Sequence, residues 1–65
     1  MDYQVGDIVT YQPFGGGMRR VRVTHKEPDI KRGEPGFDGV LLGGEDAGEL
    51  VWGYDDQILM VSRRV

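Results

Sequence analysis

Two short signatures, one near each end of the chain, most constrain its fold. Val5-Gly6-Asp7-Ile8-Val9 reads as a turn feeding a β-branched run. Trp52-Gly53-Tyr54-Asp55-Asp56-Gln57-Ile58 reads as a strand, a one-turn break and a last strand. Between them no window sustains a helical apolar period, so the expected class is all-β.

The runs and their punctuation set the expected elements. Asp7 to Gln12 is a first strand, ended by Pro13-Phe14-Gly15-Gly16-Gly17, where proline removes a ladder donor and glycines permit positive φ. Met18 to Lys26 is a second strand, with Val21 and Val23 on one face and Arg20, Arg22 and Thr24 on the other. Glu27 to Gly36 holds two prolines, two glycines and several charges, and reads as a long solvated loop. Phe37 to Gly43 is a third strand, Gly44 to Gly48 a hairpin turn and Glu49 to Trp52 a fourth strand. Tyr54 to Gln57 has room for one 3₁₀ turn, Ile58 to Ser62 is the fifth strand, and Arg63-Arg64-Val65 is a frayed tail. The last strand is continuously apolar from Ile58 to Val61, which fits burial on both sides, under the arm around Tyr3 and Val5 or under a second copy.

Five short strands in 65 residues must curl, because a flat sheet leaves an apolar face wet and two edges open. Gly39, Gly43 and Gly53 lie in or beside strands, where glycine marks bends and bulges. The expected architecture is a single domain over residues 1–65, a small, partly open, five-stranded barrel. The order of elements resembles the SH3-like barrels: Gly6-Asp7 before the first strand, a tight hairpin at Gly44 to Gly48, then Gly53-Tyr54-Asp55-Asp56-Gln57-Ile58 leading into the closing strand. That resemblance implies a binding module, and its wide range of partners leaves the function open. The Ala-Leu-Tyr-Asp-Tyr-like entry, long acidic first loop and adjacent tryptophans of the proline-peptide binders are absent, so that specificity is not carried over. Gly17-Met18-Arg19-Arg20 matches only faintly the glycine in a basic hairpin of KOW-type RNA binders.

Composition narrows the function classes. The formal net charge of −3 and pI near 4.9 disfavour a dedicated nucleic-acid binder, whose affinity rests on Lys and Arg neutralising phosphates. There is no cysteine, hence no disulfide, thiolate zinc ligand or thiol nucleophile. No apolar stretch approaches the ~20 residues of a membrane span, and Met1-Asp2-Tyr3-Gln4 lacks the regions of a signal peptide, so the expected location is the cytoplasm. With no Asn, and Arg outnumbering Lys six to two, the composition suits a GC-rich coding sequence. The chain is read as a complete small reading frame of actinobacterial or phage type.

Candidate sites follow from side-chain chemistry. Arg20, Arg22 and Lys26, read as one face of a strand, form a basic stripe with Arg19 at its edge and Arg63-Arg64 near it. Alternate residues on a strand stand roughly 7 Å apart, close to the phosphate spacing of a nucleic-acid strand. The stripe would grip phosphates or an acidic protein; the plainer reading is a solvated face balanced by carboxylates of the 27–38 segment. Leu50, Trp52 and Tyr54 share a face by alternation, and Trp52 is expected in or half in the core. Phe14, in its glycine-rich loop, is either a contact anchor or a cap on the open barrel end. A strand rather than a helix follows Gly15-Gly16-Gly17, which argues against a phosphate loop. His25 is the only histidine and Ser62 the only serine, too little for nucleophilic catalysis. Glu45, Asp46 and Glu49 fit turn chemistry, Asp55 is expected to cap the 3₁₀ turn, and neither acidic cluster has calcium-loop spacing.

These residues point to a non-enzymatic protein-binding module without metal or cofactor, a small accessory factor acting on a larger protein. Phe14, Arg20, Arg22 and Lys26 would make the contact, with 27–36 as a second surface. The alternative is nucleic-acid binding through Arg19, Arg20 and Arg22, with Tyr11 or Tyr54 stacking on a base. The third reading is a homo-oligomer paired through the apolar last strand or an open edge.

Overall fold

A computed structural model of the chain describes residues 2–62. Five strands, β1 (Ile8–Tyr11), β2 (Arg19–Lys31), β3 (Glu34–Leu42), β4 (Leu50–Tyr54) and β5 (Ile58–Ser62), form one antiparallel sheet in the order β4-β3-β2-β1-β5. A 3₁₀ turn, Asp55–Gln57, joins β4 to β5. The two outermost strands, β4 and β5, do not pair with each other. The result is the expected all-β, partly open SH3-like arrangement. The expected tail at Arg63-Arg64-Val65, and any approach of those arginines to the stripe, lies outside the described residues.

The core is Tyr3, Val9, Tyr11, Val21, Val23, Phe37, Leu41 and Ile58, with Val51 and Val61 packed against it. Phe37 is its centre: Tyr11 meets it edge-on at 5.2 Å and Tyr3 at 6.1 Å, both nearly perpendicular. Edge-to-face pairing puts the positive ring edge against the negative ring face and adds to area burial. Gly53 stands across from Phe37 on β4. A Cβ there would lie 2.7 Å from Phe37 Cζ and 2.9 Å from the Tyr11 ring. The glycine therefore makes room for aromatic rings rather than a bend.

The 27–36 segment corrects its expectation. It is no loop but the far half of a hairpin, with β2 running to Lys31 and β3 starting at Glu34. Arg32 and Gly33 both have positive φ, 57° and 76°, as a two-residue primed hairpin turn requires. Asp29 accepts the Gly33 N–H at 2.8 Å. The ladder slips register between Glu27 and Lys31, and Pro28 falls in that slip, so its missing donor costs the sheet nothing.

A second irregularity decides which side chains face where. Through Val23↔Gly39 the partners keep one phase, with Arg20 and Arg22 outward and Val21 and Val23 buried. Between Val23 and His25 one residue is added on β2, and Lys26 then stands opposite the core residue Phe37. An extra residue in a period-2 strand exchanges its faces. Lys26 thus leaves the face of Arg20 and Arg22. It donates from Nζ to the Tyr3 carbonyl at 2.8 Å, lies 4.5 Å above the Tyr3 ring and sits 3.8 Å from the Asp2 carboxylate.

Lys26 helps to hold the N-terminal arm. Gly6 donates to Val23 O at 2.8 Å, Val23 donates to Asp7 O at 3.0 Å, and the Asp7 carboxylate accepts the Gln4 N–H at 2.9 Å. The arm does not cover β5 as expected. Tyr3 enters the core instead, and Val5 stays exposed. In consequence β5 is covered on one side only: Ile58 is buried, while Leu59 and Met60 are exposed.

The Tyr3 hydroxyl donates to Asp55 Oδ1 at 2.5 Å, with the Gly36 carbonyl at 3.2 Å. Burial first, then the Asp55 hydrogen bond and charge, push the phenol well above its ordinary value of 10. The folded state therefore holds this proton more tightly than the unfolded chain does. Its contribution to stability is whole below pH 10 and is lost as pH rises above 10 toward the folded value. Urea titrations at pH 9 and pH 11 should show the wild type losing stability, and Tyr3→Phe losing distinctly less. Equal losses would show that this phenol is not the linked group.

Candidate functional site

The outward face of β4 is apolar. Because Val51 and Gly53 stand opposite Gly39 and Phe37, alternation sends Leu50, Trp52 and Tyr54 outward together. Leu50 is 84% exposed and Trp52 39%, so Trp52 is half covered on the outward face and does not fill the core. Gly53 explains this: Phe37 and Tyr11 already occupy the volume that a large β4 side chain would fill. The Trp52 and Tyr54 rings meet edge-to-face at 5.2 Å. The tip of the β2–β3 hairpin brings Lys31 Nζ to 4.6 Å over the Trp52 ring.

Phe14 joins this face from the β1–β2 loop. It is 87% exposed, with its ring 6.5 Å from that of Tyr54, so it does not fold inward to cap the barrel. Between this loop and β4 lies a groove of about 410 Å³. Phe14 and Arg19 line it from one side of the fold, and Leu50, Trp52 and Tyr54 from the other. Arg19 is its only charged lining residue. Tyr11 also borders the groove but is 2% exposed, which removes it as a base-stacking platform.

The arginines divide. Arg20 and Arg22 point outward from β2 opposite Leu42 and Val40, whereas Arg19 pairs with the core residue Tyr11 and reaches the groove. None of the three is in an ion pair among the described residues, where the one salt bridge is Lys26–Asp2. The carboxylates of the 27–38 segment therefore do not balance the stripe. Of the residues proposed for nucleic-acid contact, Arg19 and Tyr54 share the groove while Arg20 and Arg22 lie on the adjoining face.

The remaining candidates do not converge. The exposed His25 ring approaches Thr24 Oγ1 at 3.3 Å, and Ser62 lies on β5, two strands from β2 in the sheet order. Asp55 binds Tyr3 rather than capping the 3₁₀ turn; the Tyr54 N–H donates instead to Gln57 Oε1 at 2.9 Å. Glu45, Asp46 and Glu49 are exposed at the β3–β4 turn, where Gly43, Gly44 and Gly48 take positive φ. Among the described residues no three His, Asp or Glu side chains gather as a metal site, and no helix is long and apolar enough to cross a membrane.

Sequence reasoning missed Leu50, Trp52 and Lys31 as parts of this site. The available signal was Gly53: an interior glycine in an apolar strand marks close packing on one face and leaves the large neighbours for the other. In comparison with known proteins, the chain matches no protein-family model, no curated protein and no solved structure.

Proposed function

We propose that this chain is a non-enzymatic protein-binding module that works through the groove between Phe14 and β4. The observation that carries this reading is the cluster of Phe14, Leu50 and Trp52, large apolar side chains that the core does not use. Scattered exposed apolar residues are ordinary, whereas a contiguous aromatic patch with an arginine beside it has the composition of an interface centre. Its composition fits a cytoplasmic accessory factor of a GC-rich bacterium or its phage, adhering to a larger protein. Nucleic-acid binding keeps Arg19, Arg20, Arg22 and Tyr54 but loses Tyr11 as a stacking platform and has its arginines split between two faces, so it is the weaker reading; Lys26, fastened to the N-terminal arm, drops out of the protein contact.

Selection of a random-peptide display library on the immobilised protein tests the proposal, with selected ligands titrated by Trp52 fluorescence. Phe14→Ala should leave the melting temperature nearly unchanged, because surface substitutions stay within about ±0.5 kcal/mol. It should weaken the selected ligand about 30-fold or more, as removal of an aromatic anchor does. Failure to enrich any ligand, or a melting temperature lowered by many degrees, would remove the groove as a binding site.

A further inference from the structure

The groove runs beside an unpaired sheet edge, and we propose that β4 accepts an acidic, extended segment of a partner protein as a sixth strand; this rests on the groove being the binding site. The hydrogen-bonding phase of β4 is visible at both its ends. Leu41 N donates to Glu49 O at 2.9 Å, which puts the pairs 41/49, 39/51 and 37/53 in hydrogen-bonding register. The residues between them, Leu50, Trp52 and Tyr54, turn their N–H and C=O groups away from β3. Tyr54 fits that phase, since its N–H donates to Gln57 Oε1 at 2.9 Å. Leu50 and Trp52 therefore present edge donors and acceptors to an incoming chain.

This edge carries none of the usual protections. From Leu50 to Tyr54 there is no proline, no charged residue and no bulge toward β3. Five residues of strand offer about 17 Å of ladder, enough for an added strand of similar length. In such addition the main chain supplies affinity and alternate side chains supply specificity. One alternate set of the added strand meets Trp52 and Tyr54, and the other faces the groove mouth at Arg19.

The groove selects the edge and its charge the occupant. Among the described residues Arg19 is the one charged residue lining the groove, and Lys31 lies over Trp52 at its border; Asp38, opposite Trp52 on β3, lines the neighbouring hollow instead. In a chain of net charge −3 the β4 groove is thus a local cationic exception. Complementary charge discriminates between partners by repelling the wrong sign, so the partner strand is acidic.

Two synthetic nonapeptides test this, one alternating Glu with Val and Phe, the other carrying Lys in place of Glu. The Glu peptide should saturate Trp52 fluorescence and slow amide exchange at Leu50 and Trp52. Arg19→Glu should weaken it at least tenfold and admit the Lys peptide. Methylating one alternate set of its backbone amides should abolish binding, while methylating the other set is tolerated. Equal binding of the Lys peptide to the wild type overturns the acidic partner, and indifference to both methylated forms overturns the added strand. Protection at Leu59 and Met60 instead of Leu50 and Trp52 assigns the wrong edge. Edge amides already protected in a free protein of twice 7.3 kDa would make a second copy the occupant. Displacement of the Glu peptide by an oligothymidylate would make nucleic acid the occupant. If neither nonapeptide binds while a display-selected ligand does, this inference fails and the proposed function stands; if neither kind binds, both fail.

Discussion

Phe37→Ala is expected to remove a large share of the chain's stability. Phe37 is fully buried, at 0% exposure, and both buried tyrosine rings pack against it in T-shaped pairs. Removing a buried phenylalanine costs about 3–5 kcal/mol, from lost transfer energy and from the cavity left behind. A domain of 65 residues has about 3–10 kcal/mol in total, at typical stability per residue. The cavity cannot easily collapse, because Tyr3 is held by its hydroxyl at Asp55 and the sheet holds the backbone on either side. Far-UV circular dichroism across a urea titration reads the effect directly, since Trp52 stands on the surface and reports the core poorly. Phe37→Leu should retain a cooperative transition at lower urea. A loss below about 1 kcal/mol in the alanine variant would mean that the aromatic cluster is not the centre of the fold.

Gly39→Ala should also be costly, although it adds only a methyl group. Gly39 is paired with Val23 at the start of the bulge, and a Cβ there would run into Val21 Cγ1 and stand 2.5 Å from the Arg22 carbonyl oxygen. The oxygen belongs to the backbone and cannot rotate aside. Overpacking of this kind costs about 1–3 kcal/mol, and occasionally more when backbone must shift. Gly53→Ala meets ring atoms of Phe37 and Tyr11, whose side chains can give way, so its cost should be smaller. Urea midpoints should therefore fall in the order wild type, Gly53→Ala, Gly39→Ala. The reverse order of the two variants would show that the β2–β3 approach is softer than its geometry implies.

The succession of elements along the chain and the closing element were legible because their signals are local. Ile58 to Ser62 has the bounds read from its apolar run, and the 3₁₀ turn sits within Tyr54 to Gln57 as its polar residues imply. The 27–36 hairpin was not legible, because the breaker rule counts prolines without knowing that the ladder slips where Pro28 falls. The turn itself was hidden by Arg32, an uncommon residue at positive φ. The arginine stripe was half legible: Arg20 and Arg22 obey alternation, while Lys26 lies beyond an inserted residue that no composition signal announces. The face taken by Trp52 was not legible, for a non-local reason. Whether a strand tryptophan turns inward depends on which residues fill the opposite volume, and here Phe37 and Tyr11, from two other strands, fill it.

The added residue near Thr24 lets one ribbon carry two independent codes. Upstream of it, even-numbered positions of β2 face outward, as Arg20 and Arg22 do; beyond it, an even-numbered position, Lys26, stands over the interior and fastens the beginning of the chain. A descendant of this gene that lost that single codon would swap the faces of the positions that follow it in the ribbon while losing only one residue. For tracing kinship among such short chains, the phase of the alternation across residues 23–26 is thus a sharper heirloom than the count of shared letters.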